Sequence, residues 1–371
     1  MTTAAGLVPF PLALLVLGAT LAVASDRAAS EAPGRWSTAK ALAWQQTQPW
    51  IVGCNYVPSS AVNDVEMWQA DGFRPDTIER EMGWARGLGL NSVRVFLNYV
   101  VWQADRDGSL GRFERFLAIA ARHGISVMPV LLDDCAFAGK EPRPGRQDDP
   151  IPGVHNSGWV PSPGHRLAND RAAWPSLERY VKDVIGRFAG DRRVVVWDLY
   201  NEPGNSGMGD RSLPLVQATF SWAREARPSQ PLTVGAWADF TSPPSRRMME
   251  LSDVISFHGY DAPEGVRAKV ALCQEHGRPV LCTEWLNRGA GNTVAAVLPL
   301  FREAHVHCYN WGLVAGRTQT YMLWGSKPGD PMPALWQHDL FHPDGTPYSA
   351  GEVGVFAAAL AAGSSAEGDL P

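Results

Sequence analysis

The stretch VVVWDLYNEPGNSG, residues 194–207, places six apolar or aromatic residues around one aspartate and then drops into Asn201-Glu202-Pro203-Gly204. A near-continuous apolar run of this length reads as a strand buried on both faces, as in a parallel sheet covered by helices. A bare carboxylate at the end of such a strand has no place in a packed core. It does have a place in an eight-stranded barrel of alternating strands and helices, because there the C-terminal strand tips open into the active-site mouth.

The flanking sequence supplies the other strands. Apolar runs recur at IVGCNY (51–56), SVRVFL (92–97), SVMPVLL (126–132), RVVVWDLY (193–200), PLTVGAW (231–237), DVISFHGY (253–260), RPVLCTEW (278–285) and HCYNWGLV (307–314), which makes eight. Helix-period segments such as PDTIEREMGWARGLG and GRFERFLAIAARHG lie between them and end in Gly, as helix C-termini do. The predicted fold is α/β, a single-domain (β/α)8 TIM barrel over residues 51–360. A polar lead with a short helix over 26–50 precedes it, and a flexible tail over 361–371 follows, the Ala/Gly/Ser-rich composition setting in after Phe356. Two long loops are expected on the active face. One runs from Asp133 to Ala173 after the third strand, the other from Ala315 to Pro347 after the eighth, with Tyr321, Trp324 and Trp336 in it.

The composition narrows the partner. A net charge of −5 with scattered charges leaves no footprint for a nucleic acid or an anionic membrane, so a neutral ligand is expected. Fifteen Trp against thirteen Phe and eight Tyr is an unusual order, and flat indole faces suit stacking on sugar rings. Residues 1–25 carry an apolar run from Leu7 and finish in Ala22-Val23-Ala24, the pattern of a cleaved export signal. About 18 apolar residues also suffice for an uncleaved anchor. The mature body is accordingly expected to be secreted or periplasmic, with no membrane contact beyond that segment. Five cysteines, Cys54, Cys135, Cys273, Cys282 and Cys308, show no CxxC or zinc-ligand spacing and read as small buried apolar residues.

Two strand tips carry carboxylates. Glu202 ends the fourth strand and Glu284 ends the seventh in LCTEWLNR, which sets them across the barrel mouth, where two carboxyls can flank one bond. Such a pair is the working part of a glycosidase: a separation of about 5 Å makes one group a nucleophile, and about 6.5–9.5 Å admits water and inverts the anomeric centre.

Asn201-Glu202-Pro203 after WDLY, Glu284 after LCT, and Trp311 in the eighth strand resemble the clan A glycoside hydrolases, particularly the cellulase and mannanase family, family 5. The likeness spans about residues 50–350. The chain also resembles bacterial proteins labelled cellulase-family glycosylhydrolase or 1,4-beta-xylanase, through QPWIVGCNYVPSSAVNDVEMWQAD, SVRVF, GVHNSGWV, LYNEPGNSG and LFHPDGTPY. The resemblance implies a retaining O-glycosyl hydrolase acting on a β-linked polysaccharide or oligosaccharide, with Glu284 as nucleophile and Glu202 as acid/base. A transglycosylase with the same residues and a non-catalytic carbohydrate-binding barrel are the alternatives.

Further residues are expected around this pair. Asn201 is placed to hydrogen-bond a sugar 2-hydroxyl, and Arg94, a charge inside SVRVF, to keep Glu284 ionised. The resemblance matches His258 and Tyr260 to partners of the two carboxylates and Trp311 to the floor of the sugar subsite. Asn55 and Tyr56, ending the first strand, and Asp133 after the third are candidate substrate contacts; Asp134 shares that candidacy, while Asp198 reads as a buried structural acid. No metal or cofactor is expected: His155 and His165 lack ligand spacing, and hydrolysis by two carboxylates needs none. A Ser nucleophile is excluded by the lack of a GxSxG elbow, and a nucleotide cradle by the lack of a GxxxxGK[ST] loop.

Overall fold

The structure is a computed structural model that describes residues 33–361 and the first two residues. The expected export signal, most of the polar lead and the last ten residues of the expected tail lie outside the described residues. Among the described residues no helix is long and apolar enough to cross a membrane.

All eight expected strands form: β1 Val52–Asn55, β2 Ser92–Phe96, β3 Ser126–Asp133, β4 Trp197–Asn201, β5 Leu232–Gly235, β6 Ile255–His258, β7 Val280–Trp285 and β8 His307–Trp311. They pair in parallel in the order β5-β4-β3-β2-β1-β8-β7-β6. A parallel bridge between Ala236 and Phe257 spans the remaining β5–β6 seam. The result is the predicted (β/α)8 barrel. Regular pairing of β4 starts later than the apolar run does, since Val194 makes only one bridge, to Val127.

The outer layer follows from amphipathic period. In the helix Trp174–Arg187 the buried residues Leu177, Tyr180, Val181, Val184 and Ile185 fall on one stripe at spacings of three and four. The helix Val294–Glu303 repeats the device with Val294, Val297, Leu298 and Phe301. The last helix, Ala350–Ala361, runs past Phe356, so the chain after that residue is ordered for longer than its Ala/Gly composition suggested. Ala is the best helix former, which outweighs the small side chains.

Inside the barrel the packing is layered. At the bottom Ile51, Met128, Val195, Val196, Val254, Leu281 and Tyr309 form one apolar cluster. The short helix Thr38–Gln46, capped by the Ser37 side chain, lays Trp44 against this cluster. Above it, the Tyr309 hydroxyl lies 2.9 Å from Ser92 Oγ. Higher still the layer is charged, with Arg94 at its centre.

The period of a strand decides which residues reach that interior. Along β1, Ile51 faces in, Val52 out and Cys54 out, so Asn55 faces in and Tyr56 out. Two strands break the alternation. On β4, Asp198 pairs with Thr233 and Asn201 with Gly235, three steps against two. On β7, Cys282 pairs with Phe257 and Glu284 with His258, two steps against one. Each bulge re-aims the tip of its strand. It lets Asn201 face inward together with Asp198, and Glu284 together with Leu281.

Gly53 is required by the same layering. A Cβ there would stand 2.5 Å from the carbonyl oxygen of Ser92 and 2.6 Å from the Tyr309 ring, neither of which can yield cheaply. Gly53→Ala is expected to destabilise the fold by about 1–3 kcal/mol through overpacking. A drop in thermal midpoint under calorimetry checks this, and an unchanged midpoint would contradict the close approach.

Candidate active site

The turn after β4 is built to expose one side chain. Glu202 has a φ of 43° and Gly204 a φ of 91°, both in the left-handed region. For a glutamate this conformation costs free energy and persists only where neighbours enforce it. Asp134 provides the enforcement: its carboxylate accepts from the Gly204 N–H at 2.7 Å, from the Tyr200 hydroxyl at 2.7 Å and from the Ser212 hydroxyl. The Glu202 N–H donates to the Gly235 carbonyl at 3.1 Å.

Below the turn sits Arg94, fully buried. It makes five hydrogen bonds: Nε and Nη2 to Asp198 Oδ2 at 3.0 and 2.8 Å, Nη1 to Asn55 Oδ1 and Glu284 Oε1, both at 2.7 Å, and Nη2 to Asn201 Oδ1 at 2.7 Å. A guanidinium has five N–H donors, so its capacity is filled. Because Arg94 can only donate, the amides of Asn55 and Asn201 must present oxygen to it. The Asn201 nitrogen then donates to Asp133 Oδ1 at 2.8 Å. Gly235 makes room for this layer, since a Cβ there would lie 3.1 Å from His258 Nε2 and 3.4 Å from Arg94 Nη2.

The two carboxylates meet above this layer. Tyr260 donates its hydroxyl to Glu284 Oε2 at 2.8 Å, and His258 Nδ1 lies 2.6 Å from Glu202 Oε1 and 3.4 Å from Glu284 Oε2. Glu202 Oε2 accepts from the Cys135 thiol at 3.1 Å and from the Asn205 amide. One donor atom from each of Glu202, His258 and Glu284 lies within 4.8 Å of the others. Among the described residues this is the one trio of His, Cys, Asp and Glu able to gather on a cation, and its atoms are already engaged with each other.

Electrostatics couple the pair. Burial pushes Glu284 above the usual carboxylate range, opposed by His258 and Arg94 and aided by Glu202. Burial also pushes Glu202 upward, but the hydrogen bond and charge of His258, with Cys135 and Asn205 behind them, outweigh it and hold Glu202 low. Burial pushes the Tyr260 phenol well up, so it remains a donor.

These groups open into a cavity of about 590 Å³. Its walls include Glu202, Glu284, His258, Tyr260, Asn201 and Trp311 from the strand tips. Trp311 packs edge-on to Phe96 and Trp159, at 5.6 and 5.8 Å between ring centroids. Both long loops contribute walls, with Phe137 and His155 from the first and Trp324 from the second.

Three sequence expectations change here. Tyr56 does not reach the cavity: it packs between sheet and helices and donates its hydroxyl to Glu81 Oε2 at 2.8 Å. Asn55 lies under Arg94, with its amide nitrogen bonded to the carbonyl oxygens of Thr283 and Asn310, so it touches Arg94 where substrate contact was expected. Asp133 is spent on the Asn201 amide, the Cys135 N–H and the Trp159 indole, and stands behind the cavity wall. Asp198 is the buried structural acid expected of it. All five cysteines are free and buried, yet Cys135 touches Glu202. Sequence reading missed Cys135, Asn205 and Gly235, and also Trp237, which lines the cavity and donates its indole N–H to the Pro203 carbonyl at 3.2 Å. Only Asn205 carried a signal, through its place three residues after Glu202 in the turn.

Residues 85–316, more than half of the chain, match the cellulase family, glycosyl hydrolase family 5. Comparison with curated proteins found no match. Among solved structures, the exo-beta-1,4-mannosidase Op5Man5 from Opitutaceae bacterium strain TAV5 is similar at 20% identity and a TM-score of 0.60, over 85% of this chain and 60% of that one. This chain thus spans 60% of that protein's length. A GH5_18 protein from Streptomyces cattleya, in complex with Manb1-4GlcNAc, is similar at 13% identity and a TM-score of 0.59, over 87% and 82% of the two chains. The endo-beta-1,4-mannanase from Thermotoga petrophila gives 13% identity and a TM-score of 0.58, over 88% and 79%. At these identities the structures speak for the fold, and the family match speaks for the chemistry: the chain belongs to the cellulase family, glycosyl hydrolase family 5, and is an O-glycosyl hydrolase.

Proposed function

We propose that the chain is an exported retaining β-glycosidase in which Glu284 is the nucleophile and Glu202 the acid/base. The observation that carries the reading is the short span between the carboxylates, one oxygen of each lying within 4.8 Å of the other beside His258. That span falls on the side of double displacement, since an inverting pair needs about 6.5–9.5 Å to seat a water. Export rests on the apolar segment that ends in Ala22-Val23-Ala24.

The hydrogen bonds distinguish the two roles. Glu284 receives a donor on each oxygen, Arg94, which can only donate, on one and the Tyr260 hydroxyl on the other, and both contacts favour the ionised form against the burial that raises it. Glu202 faces His258 Nδ1, a contact that works in either direction. With the proton on Glu202, the acid donates into the imidazole and is poised to protonate a leaving oxygen instead. In the first step a Glu284 oxygen bonds to the anomeric carbon, the glycosidic C–O bond breaks, and the Glu202 proton passes to the departing oxygen. In the second, Glu202 takes a proton from water, whose oxygen bonds to the same carbon and releases Glu284. Asn201, locked by Arg94 and Asp133, presents its amide edge to the cavity for a sugar hydroxyl, and Trp311 offers an apolar face to the ring.

The substrate class follows from an aromatic-lined cavity of oligosaccharide scale with the carboxylate pair in its wall. β-Linked mannose units are the first to test, because structures of the same fold are named as a β-mannosidase, a β-mannanase and a Manb1-4GlcNAc complex.

Glu202→Ala and Glu284→Ala are each expected to lower turnover of aryl β-mannosides by at least about 10³-fold. Azide should restore turnover in both, giving a retained glycosyl azide from Glu202→Ala and an inverted one from Glu284→Ala, read by NMR. Azide products of the opposite configurations would reverse the assignment.

Glu284 and Glu202 titrate as one coupled pair, so the pH–rate profile should be a bell whose acid limb takes up the proton that discharges Glu284 and whose alkaline limb loses the proton held between Glu202 and His258. Tyr260→Phe removes a donor that favours ionised Glu284. The Glu284 pKa then rises, so the acid limb of kcat/KM should move to higher pH while kcat falls about 10–100-fold. An acid limb that stays in place or moves to lower pH would break the link between Tyr260 and the nucleophile.

A further inference from the structure

The two long loops leave large aromatic rings in water at the cavity mouth. Phe137 is 56% exposed and Trp324 47% exposed, although both line the cavity. His155 stands between them, edge-on to each, with ring centroids 6.2 Å from Phe137 and 6.4 Å from Trp324.

Tertiary hydrogen bonds hold this arrangement. The His155 N–H donates to Ser326 Oγ at 2.9 Å, the Asn156 N–H to the Thr318 carbonyl at 2.9 Å, and the Gln319 amide bridges Ile151, Gly153 and Val154. The first loop is thus fastened to the second along the segment that carries His155.

The ring of His155 has one committed nitrogen and one open one. Nδ1 lies 2.8 Å from the Met322 carbonyl oxygen, which can only accept, so Nδ1 carries the hydrogen. Nε2 is left as a bare acceptor, with no hydrogen-bond partner among the described residues. Burial lowers this imidazole to about 4, which keeps it neutral in neutral solution. His155 is itself only 8% exposed, so an open acceptor there is a specific feature of the wall.

We infer that Phe137, His155 and Trp324 form a second sugar-binding subsite, which takes a further unit of an oligosaccharide whose reacting unit lies between Glu202, Glu284 and Trp311. The inference rests on the glycosidase reading above and adds the length of its substrate. A sugar ring offers an apolar C–H face to an aromatic ring and hydroxyl donors at its edge, which suit the two rings and Nε2 respectively. An anion would need a donor where His155 has a lone pair. A metal ion would need more ligands, and His155 belongs to no trio of His, Cys, Asp and Glu that could gather on one among the described residues.

The test compares the full chain with Phe137→Ala, Trp324→Ala, His155→Ala and His155→Gln. For each, kcat/KM is measured on β-1,4-mannotriose and 4-nitrophenyl β-mannoside, with cellotriose and 4-nitrophenyl β-glucoside as a second pair. Both trisaccharides are also titrated calorimetrically into the Glu284→Gln chain. The ratio of trisaccharide to aryl-glycoside kcat/KM should fall about tenfold in the alanine variants, mainly through KM. His155→Gln, which puts an amide oxygen where Nε2 stood, should recover part of the loss.

Trp324 also packs on Tyr260 at 4.9 Å between centroids, so Phe137→Ala, in an exposed ring, is the cleaner variant. Equal losses on both substrates, ratio changes under about twofold, or no binding of either trisaccharide would overturn the subsite. Failure of the carboxylate assignment shows separately, as turnover that survives Glu284→Gln.

Discussion

A guanidinium with no exposed surface is tolerable only where its charge and all five of its donors are met. Arg94 is such a group, and the site takes its shape from meeting that demand. Asp198 supplies one full carboxylate contact, Glu284 a second, and two asparagine oxygens complete the set. The strand tips of β1, β4 and β7 are thereby tied to β2 at a single point. Buried ion pairs are weak evidence for stability, because desolvation offsets most of the attraction. What this cluster secures is orientation: every acceptor around Arg94 has one permitted direction, and the catalytic face inherits it.

The two bulges serve the same constraint. An unbroken strand alternates its side chains, so Asp198 and Asn201 could not both point inward, nor could Leu281 and Glu284. One extra residue on each of β4 and β7 reconciles a packed barrel bottom with a polar mouth. The strained backbone of Glu202 extends the device by one residue beyond the β4 ladder, held down by Asp134 from the next strand over.

The eight strands were legible in the sequence because strands buried on both faces are apolar throughout, and the carboxylates were legible because they interrupt those runs at their ends. Tyr56 was misplaced although the information was there: it adjoins Asn55 on a regular strand, and adjacent residues face opposite ways. The bulges were not legible, since nothing in WDLYN or CTEW distinguishes a bulged ladder from a regular one. Asp133 was misjudged for a related reason. Its three donors come from Asn201, Cys135 and Trp159, and their convergence depends on the path of a loop of about forty residues. Phe137 and His155 gain meaning only once that path is fixed against the loop after β8.

The location of one proton connects this geometry to the chemistry. Around Arg94 the charges of Asp198 and Glu284 already exceed the single cation, so a further negative charge on Glu202 is disfavoured unless His258 carries a compensating proton. The 2.6 Å contact between Glu202 Oε1 and His258 Nδ1 accommodates either location. When the imidazole holds the proton, Glu202 is drawn low; when Glu202 holds it, the pair is neutral and the acid is ready. Formation of a bond from Glu284 to a sugar removes the charge on that carboxylate, and with it the repulsion that kept the proton on Glu202. The same coupling that arms the acid in the first step therefore lets Glu202 ionise and act as a base in the second.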